Sequence, residues 1–155
     1  MIDLELIKKA LAEDLAGGVD VTSAATIAEG ATATVDYVVR CDGVIAGLDM
    51  ARAVLAEVGV TDVQPLVTDG SRVKAGEIVM SAHGNTRALL LAERTSLNFL
   101  GHLSGIATVT RTWVDAVSGT SCLIRDTRKT TPGYRALEKY AVRMGGGTNH
   151  RMSLH

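Results

Sequence analysis

Apolar residues recur at helical intervals from the start of the chain. Leu4, Ile7, Leu11 and Leu15 fall on one face, Asp3 is placed to cap the first turn, and Gly17-Gly18 stops the run, so a helix is predicted over 4–15. Asp20-Val21-Thr22-Ser23 reads as a loop. The period then shortens to two: within 31–40, Ala33, Val35, Tyr37 and Val39 face one way while Thr32, Thr34, Asp36 and Val38 face the other, as in a half-buried strand. Gly43-Val44-Ile45-Ala46-Gly47 is a short apolar strand or turn, and 48–58 a helix ended by Gly59. Strands near 61–67 and 77–82 flank the turn dipeptide Asp69-Gly70. Helix, strand, helix, strands is the order of an α+β layer.

From Thr86 the character changes. Leu89, Leu90, Ala92, Leu97, Leu100 and Leu103 form an amphipathic helix that also carries Glu93, Arg94, Thr95, Ser96 and Asn98, and a second helix is expected over 106–117, ended by Gly119. Cys122-Leu123-Ile124 reads as a buried strand running straight into Arg125-Asp126-Thr127-Arg128-Lys129-Thr130-Thr131, closed by Pro132-Gly133. Leu137, Tyr140, Ala141 and Met144 mark a last helix, followed by Gly145-Gly146-Gly147-Thr148 and then Asn149-His150-Arg151.

Composition removes whole classes. At 46% hydrophobic residues over 155 positions the chain is not a disordered one, and no apolar run approaches the roughly 18 residues a membrane-spanning helix needs. The start, MIDLELIKKALAED, lacks the apolar core and cleavage site of a signal peptide, so a cytoplasmic protein is expected. Cys41 and Cys122 stand far apart with no CxxC, which excludes a disulfide framework or structural zinc site and leaves both as buried small apolar residues. Phe99, Trp113, Tyr37, Tyr134 and Tyr140 are too scattered for a base-stacking platform, and no nucleic-acid partner is expected.

The formal net charge of −1 hides a division: residues 1–86 hold 13 acids and 6 bases, residues 87–155 hold 4 acids and 10 bases. Either the basic part meets an anion or the two parts attract each other. The run after Ile124 favours an anion site, because loops at the carboxyl ends of strands form the crevice of parallel α/β folds. Arg128 offers a planar fork, Lys129 a compact mobile charge, and the threonines hydroxyl donors. The same run also suits a solvated basic loop. His150-Arg151 adds a second donor pair behind glycines that let backbone N–H groups approach a ligand or simply end a helix. Arg94 on a leucine-rich helix must find solvent, a carboxylate, a ligand or another subunit.

Taken together, AERTSLNFLGHLSGIAT, IRDTRKTTPGYRALEKYAVRMGGGTNHRMSL, the early DVTS and GVIAGLDMA closely resemble the quinolinate phosphoribosyltransferases, collinearly from the first helix to His155. The resemblance implies an α/β fold: an α+β sandwich-like N-terminal domain, here 1–103, then the opening of an incomplete α/β barrel, here 104–155. It implies transfer of a phosphoribosyl group from 5-phosphoribosyl-1-pyrophosphate to quinolinate with decarboxylation, giving nicotinate mononucleotide, CO₂ and pyrophosphate. The resemblance implies that Thr127, Arg128, Lys129, His150 and Arg151 are substrate-binding residues, with Lys129 and His150 also catalytic, and that Arg94 is an arginine lent by the neighbouring subunit of a homodimer. Mg²⁺ accompanies the diphosphate, with no metal ligand expected within these residues and the acidic ligands expected beyond residue 155. Family members continue for more than a hundred further residues, so the 155-residue chain alone is expected to be inactive. The alternatives are a molybdenum-transport-associated paralogue of the same fold and an inactive dimerising module. DGSRVKAGEIVMSAHG also resembles the hairpin of biotinyl or lipoyl carriers, but Lys74 lacks their flanking residues.

Overall fold

The computed structural model describes residues 2–154. The first helix, α1 (Leu4–Leu15), is capped as expected, the Asp3 carboxylate accepting from Leu6 N at 3.1 Å. The expected loop after it contains a short helix, α2 (Val21–Thr26), because Asp20 caps it by accepting from Ser23 N at 3.0 Å. The Ser23 side chain first, and this main-chain bond second, hold the Asp20 carboxyl below its ordinary value. Both β1 (Thr32–Val38) and β2 (Gly43–Val44) follow the pattern, with Tyr37 buried on the inward face of β1.

Helix α3 (Leu48–Glu57) precedes β3 (Asp62–Pro65), β4 (Arg72–Val73) and β5 (Ile78–Asn85). β5 is central in an antiparallel sheet ordered β1-β5-β3, and β2 pairs with β4 in a separate ribbon. One core joins these strands to the helices through Met50, Leu55, Met80 and Leu103, all 2% exposed or less. Lys74 is exposed but pairs with Asp42 at 2.7 Å, so the carrier-like segment is an ordinary stitched hairpin.

Three expectations are corrected. The helices predicted over 89–103 and 106–117 are one, α4 (Thr86–Ala116), running through Gly101 and Gly105. Each glycine weakens a helix by about 1 kcal/mol, but α4 is bolted to the β2 segment: Thr108 Oγ1 accepts from Val44 N at 2.9 Å and Ser104 Oγ from Ala46 N at 3.0 Å. Second, 122–124 is not a buried strand. Leu123 is 67% exposed, and the segment makes only an isolated parallel bridge, Arg125 to Thr148. A parallel strand is buried where helices cover both faces of its sheet, and among the described residues this segment has one bridge and no sheet around it. Third, Cys41 and Cys122 are both exposed: one lies in the turn after β1, the other before the lone bridge, and neither turn has a core to enter.

The last helix, α5 (Arg135–Met144), packs on α4 through Leu137 and Ala141. Its glycine-rich end is a close approach rather than a flexible loop. A Cβ on Gly145 would lie 2.5 Å from the Ala107 carbonyl oxygen, and Gly146 has φ +87°. Asp69, expected only as a turn residue, accepts from Gly47 N and Leu48 N at the start of α3 and from the Tyr140 hydroxyl at 2.5 Å, tying α3 to α5.

Candidate active site

The bridge between Arg125 and Thr148 lays two loops side by side, 125–131 and 148–152. Asp126 N donates to Thr148 O at 3.1 Å, and Thr148 N to Ile124 O at 2.9 Å. Five of the six residues singled out by sequence lie on these loops. Thr127 shapes the first, its Oγ1 accepting from Lys129 N at 3.0 Å. Lys129 and His150 are exposed, and their side chains make no hydrogen bond or ion pair among the described residues. Arg151 reaches the carbonyl of Leu154 at 3.0 Å. Arg128 is half-buried, and its Nε is shielded from solvent without an acceptor. A buried donor left unmet costs about 1–3 kcal/mol.

Arg94 is not brought to this group. It lies on the exposed side of α4, and no hydrogen bond or ion pair joins it to the other five or to any described residue.

Beneath the loops lies a cluster that sequence reasoning missed. Lys139, 1% exposed on α5, donates to Asp126 Oδ1 at 2.5 Å and to His150 O at 3.0 Å. Asp126 also accepts from His150 N at 2.7 Å and from Asn149 Nδ2 at 2.6 Å. Burial pushes the Asp126 carboxyl up, but the hydrogen bonds from Lys139, His150 N and Asn149 outweigh it and hold it below the usual carboxylate range. One turn earlier on α5, Arg135 donates to Thr130 Oγ1 and Met152 O, both at 3.2 Å, and to Arg128 O at 3.5 Å. A signal was present: Asp126 is the one acid among the cations of 125–135, and Arg135 and Lys139 stand four apart, on one helical face.

The charge division is also resolved. Among the described residues no acid of 1–86 pairs with a base of 87–155; the one ion pair crossing the divide, Arg72 with Asp115 at 2.6 Å, runs the other way. The basic part is not spent on the acidic part. It leaves cations on two adjacent loops, a geometry that suits a small planar polyanion, the guanidinium forks meeting carboxylates in pairs.

Comparison with known proteins bears on this geometry. Residues 20–104 match the quinolinate phosphoribosyl transferase N-terminal domain, and residues 106–155 match the C-terminal domain of the same family. The chain is 54% identical over 153 residues to the nicotinate-nucleotide pyrophosphorylase [carboxylating] of Mycobacterium leprae, covering 97% of this chain and 54% of that protein. It is 41% identical to a mitochondrial quinolinate phosphoribosyltransferase [decarboxylating] of Nicotiana tabacum, covering 97% and 42%. Among solved structures, NadC from Streptococcus pyogenes superposes with a TM-score of 0.92 at 41% identity, covering 97% of this chain and 53% of that one. The Francisella tularensis nicotinate-nucleotide pyrophosphorylase gives 0.90 at 40%, covering 97% and 54%. The chain therefore spans about half the length of these relatives. With mixed helices and strands arranged as in those structures and both family segments in order, this chain belongs to the quinolinate phosphoribosyl transferase family.

Proposed function

We propose that this protein takes part in phosphoribosyl transfer from 5-phosphoribosyl-1-pyrophosphate to quinolinate, with decarboxylation to nicotinate mononucleotide. The observation that carries the reading is the pair of basic loops fixed side by side, with Lys129 and His150 free and the Arg128 Nε lacking an acceptor. Quinolinate is a planar dianion. Arg128 and Arg151 receive its carboxylates as forks, Thr127 shapes the turn, and Lys129 and His150 stand beside the reacting ring. The ring nitrogen attacks the anomeric carbon as the bond to pyrophosphate breaks. Loss of CO₂ then leaves an electron pair on the ring carbon, which takes up a proton. The cations lower the cost of the negative charge at each stage, and the loops supply position rather than a covalent nucleophile.

Mg²⁺ belongs to the expected reaction, but the described residues do not fit it. No group of three His, Cys, Asp or Glu side chains is placed to hold a metal among them, and Asp126 has both carboxylate oxygens engaged by Lys139, His150 N and Asn149.

The unpartnered, exposed Arg94 supports a homodimer in which this side chain reaches the partner's loops. If so, mixing Arg94→Ala with Arg128→Ala protein rebuilds one intact site in each mixed dimer, restoring about a quarter of the sites; no recovery would place Arg94 outside the pocket. A cytoplasmic location is part of the same proposal, and cell fractionation tests it. No helix of the described residues is long and apolar enough to cross a membrane. The reaction is tested by supplying the protein, expressed from its own gene, with quinolinate, phosphoribosyl pyrophosphate and Mg²⁺ and following nicotinate mononucleotide. Quinolinate binding measured by calorimetry is the companion test. Quinolinate neither bound nor consumed overturns the reading in favour of a paralogue with another acid.

A further inference from the structure

Lys139 and Asp126 face neither solvent nor the proposed ligand, yet they are among the most completely hydrogen-bonded side chains in the molecule. Buried ion pairs are poor sources of net stability, since desolvation cancels much of the attraction and an apolar pair of similar volume often does as well. What directed bonds provide is geometry. The two residues grip His150 by both of its main-chain groups: Asp126 accepts from its N–H at 2.7 Å and Lys139 donates to its carbonyl at 3.0 Å. Because the His150 imidazole has no partner of its own among the described residues, its position follows from that grip. Asn149, the preceding residue, is held by Asp126 and by the Lys139 carbonyl at 2.8 Å. Arg135 repeats the arrangement one turn away, reaching Arg128 O and Thr130 Oγ1 on one loop and Met152 O on the other.

We infer that Asp126 and Lys139, braced by Arg135, are positioning residues that fix the spacing of the two basic loops and so aim His150 and Lys129 at a common ligand. Its ligand clause rests on the function proposed above; the tie between the loops does not. An ionic tie suits the task better than an apolar one because a side chain pulled along α5 by a fraction of an ångström loses several directed bonds at once, so the spacing has one sharply defined minimum.

The test combines two readouts on the full chain, amide hydrogen exchange and quinolinate calorimetry, applied to wild type, Lys139→Met and Arg135→Gln. In Lys139→Met the amides of 148–151 are expected to exchange at least tenfold faster while those of β5 and α3 keep their protection, and quinolinate affinity to fall at least tenfold. Arg135→Gln, a change at a half-buried residue, is expected to move the same amides by a smaller factor, and it decides the matter if Lys139→Met does not fold. Exchange rising evenly over the molecule with quinolinate affinity within threefold of wild type would mark the pair as an ordinary stability element and overturn the inference. A wild type that binds no quinolinate, with the 148–151 amides still released in the variants, would overturn the proposed function and leave the positioning role standing.

Discussion

Ala16 is the one non-glycine among the described residues with positive φ, at 49°, in the left-handed turn that ends α1. An L-residue there costs about 1–2 kcal/mol, against about 0.5–1 kcal/mol for the extra freedom glycine has when unfolded. Ala16→Gly is therefore expected to stabilise the protein by about 0.5–1 kcal/mol, read as a higher urea midpoint; a lower midpoint would show the turn is held by something other than this backbone preference. In the proposed function, Arg128 carries ligand recognition. Removing a charge-assisted fork costs about 1.5–3 kcal/mol, so Arg128→Ala is expected to weaken quinolinate at least tenfold, and affinity within threefold would remove Arg128 from the pocket. Tyr140 is structural: burial, followed by its bond to Asp69, raises its hydroxyl well above the ordinary tyrosine value, so it remains a donor at any working pH. Tyr140→Phe leaves Asp69 still bound by two main-chain N–H groups and is expected to cost about 1 kcal/mol in chemical denaturation.

At the scale of elements, α4 and α5 meet in close contact, with Gly145 against the Ala107 carbonyl and the Thr110 side chain. Gly145→Ala forces those backbones apart and is expected to destabilise by at least about 1–3 kcal/mol, whereas Gly101→Ala, which meets open space on α4, is expected to stabilise slightly. Equal effects in thermal melts would deny that packing distinguishes the two sites. The elements legible in the sequence were those whose own periodicity defines a face: α1, β1, α3 and α5. Those misread depend on distant partners. The residue pattern suggests two helices parting near 105, but Ser104 and Thr108 hold α4 through it by bonds to residues some sixty positions earlier. The 122–124 strand rests on three apolar residues whose burial would require a sheet with covering layers. The basic loops were legible because their cations and threonines stand together in the sequence; the Asp126 and Lys139 tie was not, because a lone acid and a helix lysine look like surface charge until α5 folds back.

At the scale of the molecule, unequal charge and one buried pair shape the response to acid. Asp126 has its pKa lowered on folding, so its contribution to stability is complete above the unfolded carboxylate pKa of about 3.9 and is lost as pH falls through the lower folded value. Acid unfolding curves are therefore expected to fall more steeply below about pH 4 for the wild type than for Asp126→Asn, compared by slope; parallel curves would show that the pair does not couple proton uptake to unfolding. The largest single feature is α4, about 46 Å long at the standard rise for its 31 residues. The two family segments meet inside it, at residues 104 and 106. A joint placed inside an unbroken rod cannot bend as a linker would, so the sheet packed beside its first turns and α5, held against it by Gly145 on Ala107, keep one fixed relation. The seam between the two family segments is therefore a splice rather than a hinge.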